Sequence, residues 1–484
     1  MKKAIAISPE PRVFSDDEVP KGWKLATILD ACEVNPPKPS KDFLPADAPV
    51  TFVPMPAVDA DMGAITNPEI KPYLEVRNGF TSFRDGDVIM AKITPCMENG
   101  KAAIVHGMKN GIGFGSTEFH VMRSRGEILP EYLYYYIRQK SFRNEAESHF
   151  TGSVGQKRVP ADFIKQSVIP LPPLTEQQRI VARVEALLTY VNASRDRLSR
   201  MPLIMKKFRQ GVLAAACSGR LTEGWREENP DIENASLLVE KIIKSHKNDV
   251  KAFGGKAGTS TEGVHDISEV DIPDSWTICE LKYLSKPGKP ITYGILKPGQ
   301  DIPNGIPYIR VVDFPNNKLN LKTIRHTTPE IAANYKRSTL SGNDLLLSIR
   351  GTVGRVCQIP LELNGGNITQ DSVRISVHDS ISRKYIELYL QTPSVQKRFE
   401  SAIKGVAIRG VNVGDVRVLQ VVLPPLTEQH EIVRRVNALF ERADAIEREV
   451  NGASRRTEAL THAILAKAFR GELVVREAEL TKRV

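Results

Sequence analysis

The stretch PLPPLTEQQRIVARVEALL begins at Pro170, and LPPLTEQHEIVRRVNALF begins at Leu423. Laid over one another without a gap, residues 171–221 and 423–473 agree at 19 of 51 positions, at a constant offset of 252. That period is far longer than the repeats of a solenoid, so each copy is a whole domain together with its connector. The chain consists of two halves.

Within each copy the pattern changes to that of a helix. Pro172-Pro173 ends a strand, Thr175 is a candidate N-cap, and Gln178 completes a capping box; in the second copy Thr427 keeps the cap but His430 replaces the glutamine. Ile180, Val184, Leu187, Val191, Ser194 and Leu198 then follow at alternating spacings of four and three, and Ile432, Val436, Leu439, Ala443, Ile446 and Val450 repeat the seam. Heptad seams of equal length predict two helices that pack on each other. Pro202 is expected to kink or split the first of them. Thr175 to Leu198 spans about 36 Å of helix.

Working outward, each half opens alike, with VPKGW ending at Trp23 and IPDSW ending at Trp276. Each tryptophan reads as a core anchor beside a turn. Short β-like runs follow at 86–93, 307–314, 343–350 and 371–377, and then tyrosine-rich helical pieces at 129–143 and 382–399. Residues 223–271 combine an acidic stretch, an amphipathic SLLVEKIIKSHK and a linker-like GGKAGTSTEG. The expected organisation is α+β: a first globular domain over 1–171, a helical spacer over 172–222, a linker over 223–271, a second globular domain over 272–423, a second spacer over 424–475 and a tail over 476–484. It is a pseudo-two-fold internal repeat.

Composition narrows the function. With 484 residues, 41% of them hydrophobic, the chain can bury several cores. Five well-separated cysteines without a C-x-x-C pair do not form a disulfide framework, which points to a reducing cytoplasm. The opening MKKAIAISPEPR has no apolar core of an export signal, and no run is long and apolar enough for a membrane span. A net charge of +10 points to an anionic partner, nucleic acid first. Residues 172–222 carry 9 Lys/Arg against 3 Asp/Glu, whereas 424–474 carry 8 against 8, so the first spacer suits either a DNA backbone or an acidic protein surface.

Catalytic motifs are absent or incomplete. NPPK at 35–38 places Lys38 where an amino-methyltransferase loop needs an aromatic residue to stack on a flipped base. Pro273-Asp274 with Glu280 and Lys282 matches a minimal nuclease pattern, but the first half has Lys21 where the second has Asp274. GIGFG at 111–115 and GGKAGTST at 254–261 lack the spacing of nucleotide-binding loops, and the nine histidines show no metal-ligand spacing. No catalytic or metal site is expected.

The two LPPLTEQ helices, KKFRQGVLAAACSGRLTEGW at 206–225, ILAKAFRGEL at 464–473 and the paired P-x-x-W openings resemble the specificity subunits of bacterial type I restriction-modification enzymes. The resemblance covers nearly the whole chain, strongly in the helices and weakly in the globular parts. It implies two target recognition domains, each reading half of a split site on double-stranded DNA, held apart by the two helices as an antiparallel coiled coil. It also implies partners: two methyltransferase (M) subunits carrying S-adenosylmethionine, and restriction/translocase (R) subunits using ATP and Mg. This chain itself would hold no cofactor.

Candidate DNA contacts lie in loops after β-runs: Lys92, Thr94 and Lys101 in one half, Arg350, Thr352 and Arg355 in the other. Later basic loops add Gln156, Lys157, Arg158 and Arg409. Such side chains can pair with base edges or phosphates. The shared helix starts make Thr175, Glu176, Gln177 and Arg183, with Thr427, Glu428, Gln429 and Arg435, the candidate docking positions for two identical partners.

Overall fold

A computed structural model describes residues 19–153, 156–246, 271–403 and 410–475. The chain forms two compact units, Met1–Ser199 with Val450–Val484 and Arg200–Glu449. These do not follow the linear order of domain and spacer: each unit takes the start of one spacer helix and the end of the other.

In unit 1 the four-stranded antiparallel sheet at the domain centre runs Cys32–Val34, Phe119–Ser124, Val88–Ala91, Ala102–Ile104. A second sheet is built on Pro49–Val53 and Gly113–Gly115. Unit 2 repeats the central sheet as Thr292–Tyr293, Ser372–Ile375, Leu345–Ser348, Val356–Gln358, with a smaller second sheet around Ile306–Ile309. Apolar runs such as LLLS at 345–348 are buried at every position, which is why they read as continuous rather than alternating. The tyrosine-rich pieces are the helix pairs Pro130–Ile137 with Lys140–Ser148, and Arg383–Leu390 with Pro393–Ala402.

The spacers are single helices, Leu174–Cys217 and Leu426–Phe469. The first starts before Thr175: the Pro173 carbonyl accepts the Gln177 amide at 2.9 Å, so Thr175 lies in the first turn rather than at the cap. Pro202 does not split the helix; it is exposed inside it. In unit 1 Ile180 and Val184 share a core with Ile464, Leu465 and Phe469; in unit 2 Ile432 and Val436 share one with Val212, Leu213 and Cys217. A helix start meets the other helix's end both times, so the pairing is antiparallel. The seam fades where the sequence weakens it, at exposed Ser194 and Ile446.

Within 223–271, Ala235–Ser245 is a helix that buries Val239 and Ile242 in the unit 2 core, and so belongs to that unit. The GGKAGTSTEG stretch, the opening MKKAIAISPEPR and the tail over 476–484 lie outside the described residues.

Equivalent hydrogen bonds lock each globular part to its helix start. The Trp23 indole N–H donates to Glu176 at 2.9 Å, and that of Trp276 to Glu428 at 2.7 Å. Tyr132 and Tyr136 hydroxyls donate to the carbonyls of Pro170 and Val168; Tyr385 and Tyr389 do the same to Val422 and Gln420. Gln177 accepts the Leu129 amide and donates to the Pro172 carbonyl, as Gln429 accepts that of Ser382 and donates to Pro424.

Each helix end is locked as well. Gly471 (φ +67°) lies against Pro20 and Gly219 (φ +79°) against Pro273, where an added Cβ would come within 2.5 Å of the proline ring in both cases. A left-handed backbone under a proline admits only glycine without strain. Gly219→Ala is therefore expected to lower the unfolding free energy by about 1–3 kcal/mol, from conformational strain of that order and the collision. Gly211→Ala, inside the helix and with open space at its Cβ, should raise it by about 0.5–1 kcal/mol. Thermal unfolding of both variants checks the opposite signs.

Candidate nucleic-acid interface

In unit 1 the central strand Val88–Ala91 leaves the sheet through the loop 92–101 and returns as Ala102–Ile104. The segment 151–159 lies along this loop: Ile93 bridges Arg158, the Thr94 amide donates to the Lys157 carbonyl at 3.0 Å, and the Val159 amide to that of Lys92 at 2.9 Å. Lys92, Thr94, Gln156, Lys157 and Arg158 thus come from two distant stretches onto one end of the sheet. Gln156 and Lys157 are exposed there. Lys101 stands apart at the loop's return, its ammonium donating to the Met55 carbonyl at 3.1 Å.

Unit 2 repeats the plan. Leu345–Ser348 leads into the loop 349–355 and returns as Val356–Gln358, and Gly410 and Val411 pair with Arg350 and Ile349. Thr352 is exposed on the loop; Arg350 donates to the Gln370 side chain at 2.9 Å and Arg355 to the Val311 carbonyl at 3.2 Å. Arg409 lies outside the described residues.

The structure adds residues that no local motif marked. Glu118 grips Arg158 by two hydrogen bonds of 2.9 Å, to Nε and Nη2, and that contact holds the Glu118 carboxyl below its ordinary value. His120 is buried, which pushes its imidazole pKa below the ordinary value. Its Nε2 lies 2.9 Å from the Val159 carbonyl, which can only accept, so Nε2 carries the proton and Nδ1 accepts from the Asn35 amide at 3.1 Å. Asn35, the first residue of NPPK, is therefore spent on tying segment 151–159 to the sheet. Glu118, in the turn before the strand Phe119–Ser124, and His120 within it are two residues apart, which sequence shows, but their partners are 40 and 39 residues away, which it does not.

The docking candidates divide differently from the sequence expectation. Glu176, Gln177, Glu428 and Gln429 are almost wholly buried, and the locks described above employ their polar atoms, so they cannot form a docking surface. Thr175, Arg183 and Thr427 are exposed, and Arg435 is half-buried, donating to Glu431 and to the Leu221 carbonyl. Among the described residues no group of three or more His, Cys, Asp or Glu is placed to hold a metal ion, and no helix is long and apolar enough to cross a membrane.

Comparison with known proteins supplies the context for these paired loops. The family described as the type I restriction modification DNA specificity domain matches residues 20–198 and again 278–452. The chain is 36% identical to the type I restriction enzyme EcoBI specificity subunit of Escherichia coli over 67% of this chain and 62% of that protein. It is 27% identical to the EcoEI specificity subunit, also of Escherichia coli, over 96% of this chain and 85% of that one. It thus spans less than two thirds of the first relative and most of the second. The fold is similar to a subunit in a solved type I R-M system (TM-score 0.66, 22% identity, 94% of this chain and 99% of that one) and to the HsdS subunit of Thermoanaerobacter tengcongensis (TM-score 0.57, 22% identity, 94% and 98%).

Proposed function

Because the chain belongs to the type I restriction modification DNA specificity family, we propose that it is the DNA-reading subunit of such a complex in the cytoplasm, non-catalytic itself, directing adenine methylation or cleavage by partners to a two-part target. One observation carries this reading: both units present the same loop-and-segment pair at the same end of the same sheet, with different residues on it. Lys92 and Thr94 stand on the unit 1 loop as Arg350, Thr352 and Arg355 stand on the unit 2 loop, and Arg158 and Val159 lie along the first as Gly410 and Val411 lie along the second. An identical frame with unlike side chains suits two unlike half-sites. Arginine and lysine can pair with guanine or phosphate and glutamine with adenine.

The two near-equivalent helix starts suit two copies of one methyltransferase subunit carrying S-adenosylmethionine, and restriction subunits using ATP and Mg would join them. The docking surface is carried by Thr175, Arg183 and Thr427 with their exposed neighbours, and Arg435 contributes at its edge.

Two measurements test this reading. The purified chain, given duplex DNA and labelled S-adenosylmethionine without partners, is expected to bind DNA with an affinity that falls steeply with salt and to transfer no methyl group. Methylation by the chain alone would make it an enzyme; no binding at any salt would make it a scaffold.

A further inference from the structure

Unit 1 has a cleft of about 380 Å³ beside the loop 92–101, walled by Asn99 and Gly100 of that loop and by both spacer helices. Its charges sort by depth. Arg138, Arg143, Arg195 and His462 are half-buried in it, whereas its acids, Asp61, Glu185 and Glu458, belong to exposed residues. Among the described residues, no carboxylate forms an ion pair with any of these three arginines.

The cations are only partly occupied. Arg138 donates to the Tyr134 hydroxyl and the Ala60 carbonyl, and Arg143 Nη1 to the Glu98 carbonyl at 2.7 Å. Arg143 Nε and His462 Nδ1 are buried without a partner. A buried polar atom left in that state destabilises the fold unless a partner reaches it. Burial, with Arg143, Lys140 and Arg195 nearby, also holds His462 below its ordinary pKa against the opposing pull of Glu458.

We infer that this cleft takes a backbone phosphate of the DNA duplex, through Arg143, Arg195 and His462. The inference rests on the DNA-reading proposal. Three donors converge from three elements, the helix Lys140–Ser148 and the two spacers, which suits a phosphate group with several accepting oxygens better than one planar carboxylate. The wall is also the loop that carries Lys92 and Thr94, so a duplex seated on that loop passes the cleft. The basic excess of the first spacer, 9 Lys/Arg against 3 Asp/Glu over 172–222, then has at least one use in Arg195.

Arg195→Gln and His462→Gln test the site, since among the described residues neither side chain holds another segment by a hydrogen bond. Duplex binding is titrated against salt for both variants and the wild type, with one duplex carrying the motif methylated in the host and one lacking it. Both variants should bind both duplexes more weakly by the same factor, because a phosphate contact reads no base. The slope of log K against log salt should shallow by about one for Arg195→Gln, which removes a permanent charge. Thermal unfolding confirms that the variants fold, and should one fail, the other carries the test. Affinities and slopes equal to those of a DNA-binding wild type would overturn this site alone. Unchanged DNA binding with loss of a co-purifying subunit would assign the cleft to an acidic protein side chain instead. A wild type that binds no duplex would sink the DNA-reading proposal and this site together.

Discussion

Glu428→Ala is expected to destabilise unit 2 by about 3–5 kcal/mol, the usual cost of removing one partner from a buried ion pair. Glu428 is fully buried and accepts from the Trp276 indole at 2.7 Å, the Thr222 hydroxyl at 2.6 Å and Arg226 at 2.5 Å. Alanine leaves a guanidinium, an indole N–H and a hydroxyl without their acceptor. Since the carboxylate sits at the helix start, its loss frees the globular part from its spacer as well as weakening the core. Glu176→Ala, at the equivalent place in unit 1, removes the acceptor of Trp23. Position 474, which corresponds to Thr222 at the repeat's offset, is valine, so the hydroxyl of Thr222 has no counterpart at that position, and a loss of stability is expected from both variants. Chemical denaturation of the two variants gives both values; equal and small losses would show that the shared acid is not a lock.

The sequence exposed the internal repeat, the paired spacer helices and the main strands because each leaves a local period. A heptad seam, a run such as LLLS and a P-x-x-W opening are written in neighbouring residues. The locks were misread for a physical reason. Glu176 and Gln177 are charged and polar, and such residues are ordinarily exposed; nothing local tells that Trp23 and the Leu129 amide arrive from 153 and 48 residues away to bury them. The same limit applies to Glu118, His120 and Asn35. Their importance comes from segment 151–159 folding back onto loop 92–101, a pairing no window of sequence contains. The helix Ala235–Ser245 shows in the sequence as an amphipathic stretch, but its partner surface does not, so it reads as linker.

These locks set the terms of the second large effect. Exchange of residues 272–423 for the corresponding domain of a relative is expected to replace one half of the methylated motif outright and leave the other unchanged. The incoming domain must bring its own equivalents of Pro273 and Trp276, because these meet the retained Gly219 and Glu428 at the seam. With them, the loop 349–355 and its paired segment are replaced as one piece while unit 1 keeps its own. A change in both halves of the motif would show that the two units do not read independently.

The central claim, that this chain supplies the address for adenine methylation, is tested most directly by mapping methylated adenines across the genome of the host with the gene intact, deleted and restored. The account predicts that deletion abolishes methylation at one motif made of two short halves separated by an unread gap, and that restoration returns it. A methylation map unchanged by deletion would contradict it.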